Sequence, residues 1–310
     1  IGGFMNPMME KDGYDKSFSA AVNITSATTG LIIPPSNVLI VYSLASGGVS
    51  IAALFIAGYI PGLLIGLALM IVALIYSIIK KYPTDKLVGF KEFFKRFIAA
   101  FPSLMLLVVV IGGIVAGIFT ATEASAIAVI YTLVLGFLYK EITIKDISPI
   151  LLETVKTSSI VLLLIATSIA MSWVMSYENI QQEISNTLLS ISENPIVILI
   201  IINLILLFVG IFMDMTPAVL IFTPIFLPIV TELGMNPIHF GIIMIMNLCI
   251  GLCTPPVGSV LFVGCSVANL KIQQVIRPLL PLFLVMIGVL LLITYFPDLT
   301  LWLPRQFDLL

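Results

Sequence analysis

The sequence predicts an all-α, polytopic membrane protein with an inverted internal repeat, re-entrant hairpins and two broken helices. Three observations carry this. The 310 residues are 60% hydrophobic and 10% charged, with a mean hydropathy of +1.20, whereas soluble domains carry about 25% charged residues. Several runs reach the roughly 20 apolar residues that span a bilayer, and they are continuous rather than alternating, which argues against a β-barrel. Finally, Gly30-Leu31-Ile32-Ile33-Pro34-Pro35 recurs as Gly251-Leu252-Cys253-Thr254-Pro255-Pro256, an offset of 221 residues that also aligns Pro7 with Pro228 and Gly13 with Gly234. A net charge of −2 points to no nucleic-acid partner. Cys249, Cys253 and Cys265 lie in apolar sequence, so no disulfide framework is expected. Cys249 and Cys253 have a helical metal-ligand spacing, but with one histidine in the chain we read them as buried small residues.

The elements follow in order. Residues 1–12 read as a helix end closed by Glu10-Lys11-Asp12 and the turn at Gly13. Because the chain opens at Ile1 partway through that helix, we expect the start of the first repeat, including most of a hairpin, to be missing. Residues 18–44 form the first broken helix and 52–79 a span, so the first repeat covers 1–79. A connector at 80–97 follows, in which Phe90, Phe93, Phe94 and Phe97 interleave with Lys91, Lys95 and Arg96, while Lys80, Lys81 and Lys86 precede them. It reads either as an amphipathic helix on the membrane surface or as a plain juxtamembrane basic loop.

The second repeat covers 98–310, with spans at 98–119, 121–140 and 157–177, a hairpin at 195–231, a broken helix at 237–268 and a last span at 277–296. Thr120-Ala121-Thr122-Glu123 fits a capping box, which competes with a transport role for Glu123. Residues 141–156 read as a charged connector, and 178–194 as a second one carrying Glu178, Glu183 and Glu193. The two arms of 195–231 are each marginal for a span and flank Met213-Asp214-Met215-Thr216-Pro217, which reads best as a re-entrant hairpin, with two full spans as the alternative that the charge distribution does not separate.

With the connector at 80–97 placed in the cytoplasm, alternation of the segments puts every Lys and Arg except Arg305 inside, as the positive-inside rule requires. The C-terminus then lies outside. The arm ending near Pro7 meets the cytoplasm and its counterpart near Pro228 the outside, so the repeat is inverted, a pattern of secondary transporters.

Each break has its own chemistry. A helical proline leaves the carbonyl four residues earlier without its donor, so Pro34 and Pro35 free Gly30 and Leu31, and Pro255 and Pro256 free Gly251 and Leu252. In hydrocarbon such a carbonyl must face protein, water or a cation. With the hydroxyls of Ser26, Thr28, Thr29 and Thr254, these carbonyls make an oxygen-rich site suited to sodium rather than to a transition metal; a packing kink is the bland alternative. Asp214, the acid within 195–231, is a functional candidate as an intramembrane ionisable group, with helix capping as its other reading. Asn247, one turn before Gly251, faces the same cavity in this reading, and His239 is read as interfacial. The candidate sodium and substrate site thus comprises Ser26, Thr28, Thr29, Gly30, Pro34 and Ser36 at the first break, Gly210, Asp214 and Thr216 around the hairpin tip, and Asn247, Gly251, Thr254, Pro255 and Gly258 at the second break. Sodium itself is assigned to Gly30, Thr28, Gly251, Thr254 and Asp214.

The chain resembles the large membrane subunit of tripartite ATP-independent periplasmic (TRAP) transporters. The motifs that carry the likeness are Gly13-Tyr14-Asp15, Ile32-Ile33-Pro34-Pro35-Ser36, Ala57-Gly58-Tyr59-Ile60-Pro61-Gly62, Gly117-Ile118-Phe119-Thr120-Ala121-Thr122-Glu123-Ala124, and His239-Phe240-Gly241-Ile242-Ile243 leading to Thr254-Pro255-Pro256-Val257-Gly258. The resemblance implies a sodium-coupled importer of organic anions in a bacterial or archaeal cytoplasmic membrane, with C4-dicarboxylates, sialic acid or similar carboxylates as substrates. It implies an elevator mechanism, a small four-helix membrane subunit and a soluble periplasmic or extracytoplasmic substrate-binding protein as partners, and no cofactor beyond sodium as coupling ion. An anionic substrate suits the helix N-termini at the breaks.

The alternatives are a carrier of the same architecture that works without a binding protein, and a non-transporting scaffold or sensor. An intramembrane protease is disfavoured, because the sequence has neither His-Glu-x-x-His nor Gly-x-Gly-Asp.

Overall fold

The computed structural model describes residues 2–82, 89–192 and 194–310, with the side chains of 181, 185, 188 and 189 excepted. Lys86 of the basic connector and Glu193 of the acidic one lie outside the described residues. The fold is helical throughout the described residues: α1 (Gly2–Lys11), α2 (Lys16–Ile32), α3 (Asn37–Ala45), α4 (Ile51–Lys80), α5 (Phe90–Val115), α6 (Ala121–Leu138), α7 (Ile144–Tyr177), α8 (Ile180–Ile191), α9 (Pro195–Phe212), α10 (Met215–Glu232), α11 (Pro237–Leu252), α12 (Ser259–Val267), α13 (Ile272–Tyr295) and α14 (Asp298–Gln306). Seven of these helices are long and apolar enough to cross a membrane, and α2 with α3, bent by 51°, makes an eighth if counted as one span. The chain is a multi-pass membrane protein.

The 221-residue offset of the proline pairs recurs in the element boundaries. α1 and α10 end at Lys11 and Glu232, α2 and α11 start at Lys16 and Pro237, and α4 and α13 start at Ile51 and Ile272. The turn glycines Gly13 and Gly234 take φ of +84° and +82°, a left-handed conformation that glycine adopts without steric cost. Asp15 and Asn236 cap the helices that follow with their side-chain oxygens. The Pro34–Pro35 and Pro255–Pro256 bonds are both cis.

Several boundaries differ from the sequence expectation. The aromatic-basic segment beginning at Phe90 runs without interruption into the next span as the 26-residue α5; no breaker separates Phe97 from Ile98, and Glu92 pairs with Arg96 one turn on. The charged stretch 144–156 is likewise the first part of the 34-residue α7 rather than a connector. Its start is set by Thr143, whose backbone N–H and hydroxyl both donate to Asp146 Oδ2, at 2.9 and 2.6 Å. The acidic connector contains α8, and a final short helix, α14, follows the last span.

By contacts the chain divides into two compact units, Ile1–Pro83 with Ala166–Leu310, and Thr84–Ile165. This division does not follow the repeat boundary expected from the sequence: most of 98–310 shares a unit with 1–79. In the smaller unit, α5 and α6 form a tight hairpin. Gly113 lets the Phe119 ring lie against α5, the Tyr131 hydroxyl donates to the Pro102 carbonyl at 2.7 Å, and Thr120 and Glu123 form the predicted capping box.

In the larger unit α11 is the central element, with every residue from Ile238 to Leu252 buried. A half-helix apolar on all sides must be enclosed by other helices, and α9, α10, α4, α13, α2 and α14 surround it. The first break rests on α4. A Cβ on Gly58 would lie 2.6 Å from the Ile32 carbonyl oxygen, and one on Gly62 would run into the Ile33 side chain. The small residues of the Ala57–Gly62 motif therefore let the end of α2 lie directly on the α4 backbone.

Candidate functional site

The structure divides the predicted site residues into three groups. The first lines a cavity of about 780 Å³ between α1, α2 and α12, whose walls include Asn6, Asn23, Ser26, Thr29, Gly30 and Gly264. Ser26 and Thr29 donate their hydroxyl hydrogens to carbonyls three residues back, at 3.1 and 2.6 Å, which leaves their lone pairs free to accept. Gly30 offers open space above its Cα, and Gly264 lets Ile24 of α2 approach α12. Asn6, 3% exposed, accepts from Asn23 Nδ2 at 2.6 Å. Neither Asn6 nor Asn23 was among the site candidates, although an asparagine within apolar helical sequence is the signal for an interhelical hydrogen bond.

Thr28 does not join this group. It is 1% exposed, and its hydroxyl lies 2.7 Å from the Thr25 carbonyl and 3.7 Å from Met286 Sδ on α13. The contact with Met286 turns the Thr28 side chain toward α13 and away from the cavity lining.

The second group gathers at the tip of the α9–α10 hairpin and the second break. Gly210 of α9 and Gly251 of α11 meet backbone to backbone: a Cβ on Gly251 would lie 2.6 Å from Gly210 Cα. Asn203 and Asn247 are hydrogen-bonded on the same seam, so α9 and α11 cross running in the same sense. The tip, with Asp214 and the half-buried Thr216, and the break, with Thr254 and Pro255, therefore lie at the same end of the crossing. Asp214 occupies the N-cap position of α10, but its exposed side chain makes no capping bond; only its carbonyl takes part, accepting from Ala218 N–H at 3.2 Å.

The freed carbonyls are more fully used than the prolines alone imply. Ser36 donates to the Leu31 carbonyl at 2.6 Å. The Gly251 carbonyl accepts the Thr254 N–H at 2.9 Å. The Thr254 hydroxyl donates to the Ile250 carbonyl at 2.8 Å, which points its lone pairs outward. Among the described residues the carbonyls of Gly30 and Leu252 accept no hydrogen bond. Gly258 packs against the Leu252 carbonyl, where a side chain would collide with it. Ser36 and Gly258 are thus structural parts of the breaks, and Pro34 is buried behind the first.

The third group is enclosed. Asn247 is fully buried with its Oδ1 unpartnered. His239, expected at the membrane interface, is 1% exposed: Nδ1 lies 2.7 Å from Thr300 Oγ1, and Nε2 lies 3.4 Å from the Thr294 carbonyl. The reason is α14, which the sequence reading lacked and which packs over the start of α11. The two groups that remain accessible are joined through Cys253, whose thiol donates to the Ile24 carbonyl at 3.5 Å beside the cavity. Cys249, Cys253 and Cys265 are all free and buried.

Comparison with known proteins places this arrangement. The family described as "Tripartite ATP-independent periplasmic transporter, DctM component" matches residues 1–299. The chain is 57% identical over 307 residues to the Salmonella typhimurium protein YgiK, covering 99% of this chain and 71% of that protein. It is 38% identical over 306 residues to the C4-dicarboxylate TRAP transporter large permease protein DctM of Pseudomonas aeruginosa, covering 98% and 71%. It is also 39% identical over 297 residues to the sialic acid TRAP transporter large permease protein SiaM of Vibrio cholerae, covering 95% and 69%. With its matched helix breaks, its polar hairpin tip and these relatives, the chain belongs to the DctM component family of TRAP transporters, membrane permeases rather than enzymes.

Proposed function

We propose that the protein is the permease of a sodium-coupled importer of an organic carboxylate, working with a small membrane subunit and an extracytoplasmic substrate-binding protein. The observation that carries this reading is the Gly210–Gly251 crossing, which sets the Asp214 carboxylate at the same end of the seam as the Thr254 hydroxyl and the Leu252 carbonyl. Oxygen ligands of this kind, one of them anionic, suit a hard monovalent cation. The cavity beside the first break, with the hydroxyls of Ser26 and Thr29 and the Gly30 carbonyl, is the candidate for substrate or for a second cation. A C4-dicarboxylate or a sialic acid is the substrate class suggested by the names of the relatives.

In this reading the repeat is inverted, the C-terminus lies outside the cytoplasmic membrane, and the hairpin and broken helices move together past a scaffold. The test is uptake into proteoliposomes containing the full permease and its partners. Uptake should require a sodium gradient and the loaded binding protein; uptake indifferent to sodium overturns the coupling, and uptake without the binding protein marks the independent carrier instead.

A further inference from the structure

A buried cluster of polar side chains in the larger unit lies outside the cavity lining and the hairpin tip. Asn247 Nδ2 on α11 donates to Asn203 Oδ1 on α9 and, at 3.2 Å, to the Ile243 carbonyl. Asn203 Nδ2 donates to Thr294 Oγ1 on α13 at 3.3 Å, and that hydroxyl donates to the Leu290 carbonyl at 2.8 Å. The Thr294 carbonyl, one of the last in α13 and so without an intrahelical partner, faces His239 Nε2. On its other side His239 Nδ1 lies 2.7 Å from the Thr300 hydroxyl of α14, which in turn donates to the Pro297 carbonyl at 2.9 Å. All five side chains are at most 3% exposed.

These polar contacts tie α9, α11, α13 and α14 together within apolar surroundings, where a polar group left unpaired is costly; among the described residues Asn247 Oδ1 is the member that has no partner. It sits on the seam that also carries Gly210 and Gly251, with Asn247 one helical turn from Gly251 and Asn203 two turns from Gly210. Close glycine packing alone fixes how near two helices come; it leaves rotation and sliding along the seam open. The asparagine pair and the His239 anchor at the other end of α11 remove that freedom.

We propose that His239 and Asn203 are positioning residues for the second break: they hold α11 in register with the hairpin arm α9, so that Asp214 and the Leu252–Thr254 segment present their oxygens together. The proposal rests on the sodium reading above, since register matters to function only if tip and break share a ligand.

The test compares His239→Leu, His239→Gln and Asn203→Leu in the full transporter, reconstituted with its partners. The readouts are the sodium concentration giving half-maximal uptake, the maximal rate, and amide hydrogen exchange over residues 247–254. His239→Leu should raise the half-maximal sodium concentration at least tenfold, equivalent to about 1.4 kcal/mol, with a much smaller loss of maximal rate, and should speed exchange at 251–254. His239→Gln, which keeps a donor and an acceptor, should restore most of both. A half-maximal sodium concentration within twofold of wild type in His239→Leu, whatever its stability, overturns the positioning role. If that variant does not fold, Asn203→Leu decides by the same criterion. If wild-type uptake ignores sodium, the sodium reading is what fails, and the exchange rates decide the register claim: unchanged protection at 251–254 in the variants overturns it.

Discussion

Gly210 and Gly251 touch through their main chains, with a Cβ on Gly251 falling 2.6 Å from both Cα and C of Gly210. Backbone cannot move aside as a flexible side chain can, so this contact sets the separation of the hairpin arm from the broken helix. Small residues at helix crossings are the usual means of such close approach in membranes.

Replacing Gly251 by alanine is therefore expected to force α9 and α11 apart. Overpacking of this kind costs about 1–3 kcal/mol, which should appear as a lowered melting temperature of the solubilised protein together with loss of uptake. Among the described residues, no atom beyond its own stretch of helix lies within 4 Å of where a Cβ on Gly288 of α13 would stand, and Gly288→Ala should leave both measurements unchanged.

Among the described residues the Asp214 carboxylate makes no capping bond to α10, so Asp214→Asn should cost little stability. Its effect should fall on the half-maximal sodium concentration, raised about tenfold or more, equivalent to about 1.4 kcal/mol. Thr254→Ala removes a smaller, neutral ligand and should give a weaker shift of the same sign. If both variants kept wild-type sodium dependence in uptake assays, the tip would have no part in coupling.

Ser36 is 3% exposed and satisfies the Leu31 carbonyl. Ser36→Ala leaves that carbonyl without its donor, a loss of about 1–3 kcal/mol, measurable as a lowered melting temperature, while Ser36→Thr should preserve the bond. The effect should be mainly on stability, because the hydroxyl hydrogen is already committed to the break.

Glu123 accepts from both the N–H and the hydroxyl of Thr120, each at 2.8 Å. Thr120→Ala should weaken the start of α6 by about 0.5–2 kcal/mol and leave the sodium and substrate dependence of uptake unaltered. Should Glu123→Gln abolish uptake at unchanged thermal stability, the carboxylate would have a transport role beyond the cap.

The local features of the fold were legible in the sequence. Pro34-Pro35 and Pro255-Pro256 mark where helices stop, Gly13 and Gly234 mark left-handed turns, and Thr120 with Glu123 marks a helix start; each acts within a few residues of itself. The missed starts were local too: Thr143 with Asp146 is a capping signal hidden in a charged stretch, and the polar, glutamate-bearing sequence of α8 obscured its helix.

The amino-acid sequence by itself determined that this chain is a multi-pass helical membrane protein with two matched breaks and a polar hairpin tip, because hydropathy, helix-breaking and capping are properties of short windows. Tertiary structure alone decided which sides of those helices meet. It turned Thr28 toward Met286 while Ser26 and Thr29 line the cavity, set Gly210 against Gly251, and buried His239 beneath α14. Those outcomes depend on contacts between residues up to 258 positions apart, and the apolar pattern of a membrane helix, similar on every side, does not encode which neighbour it will find.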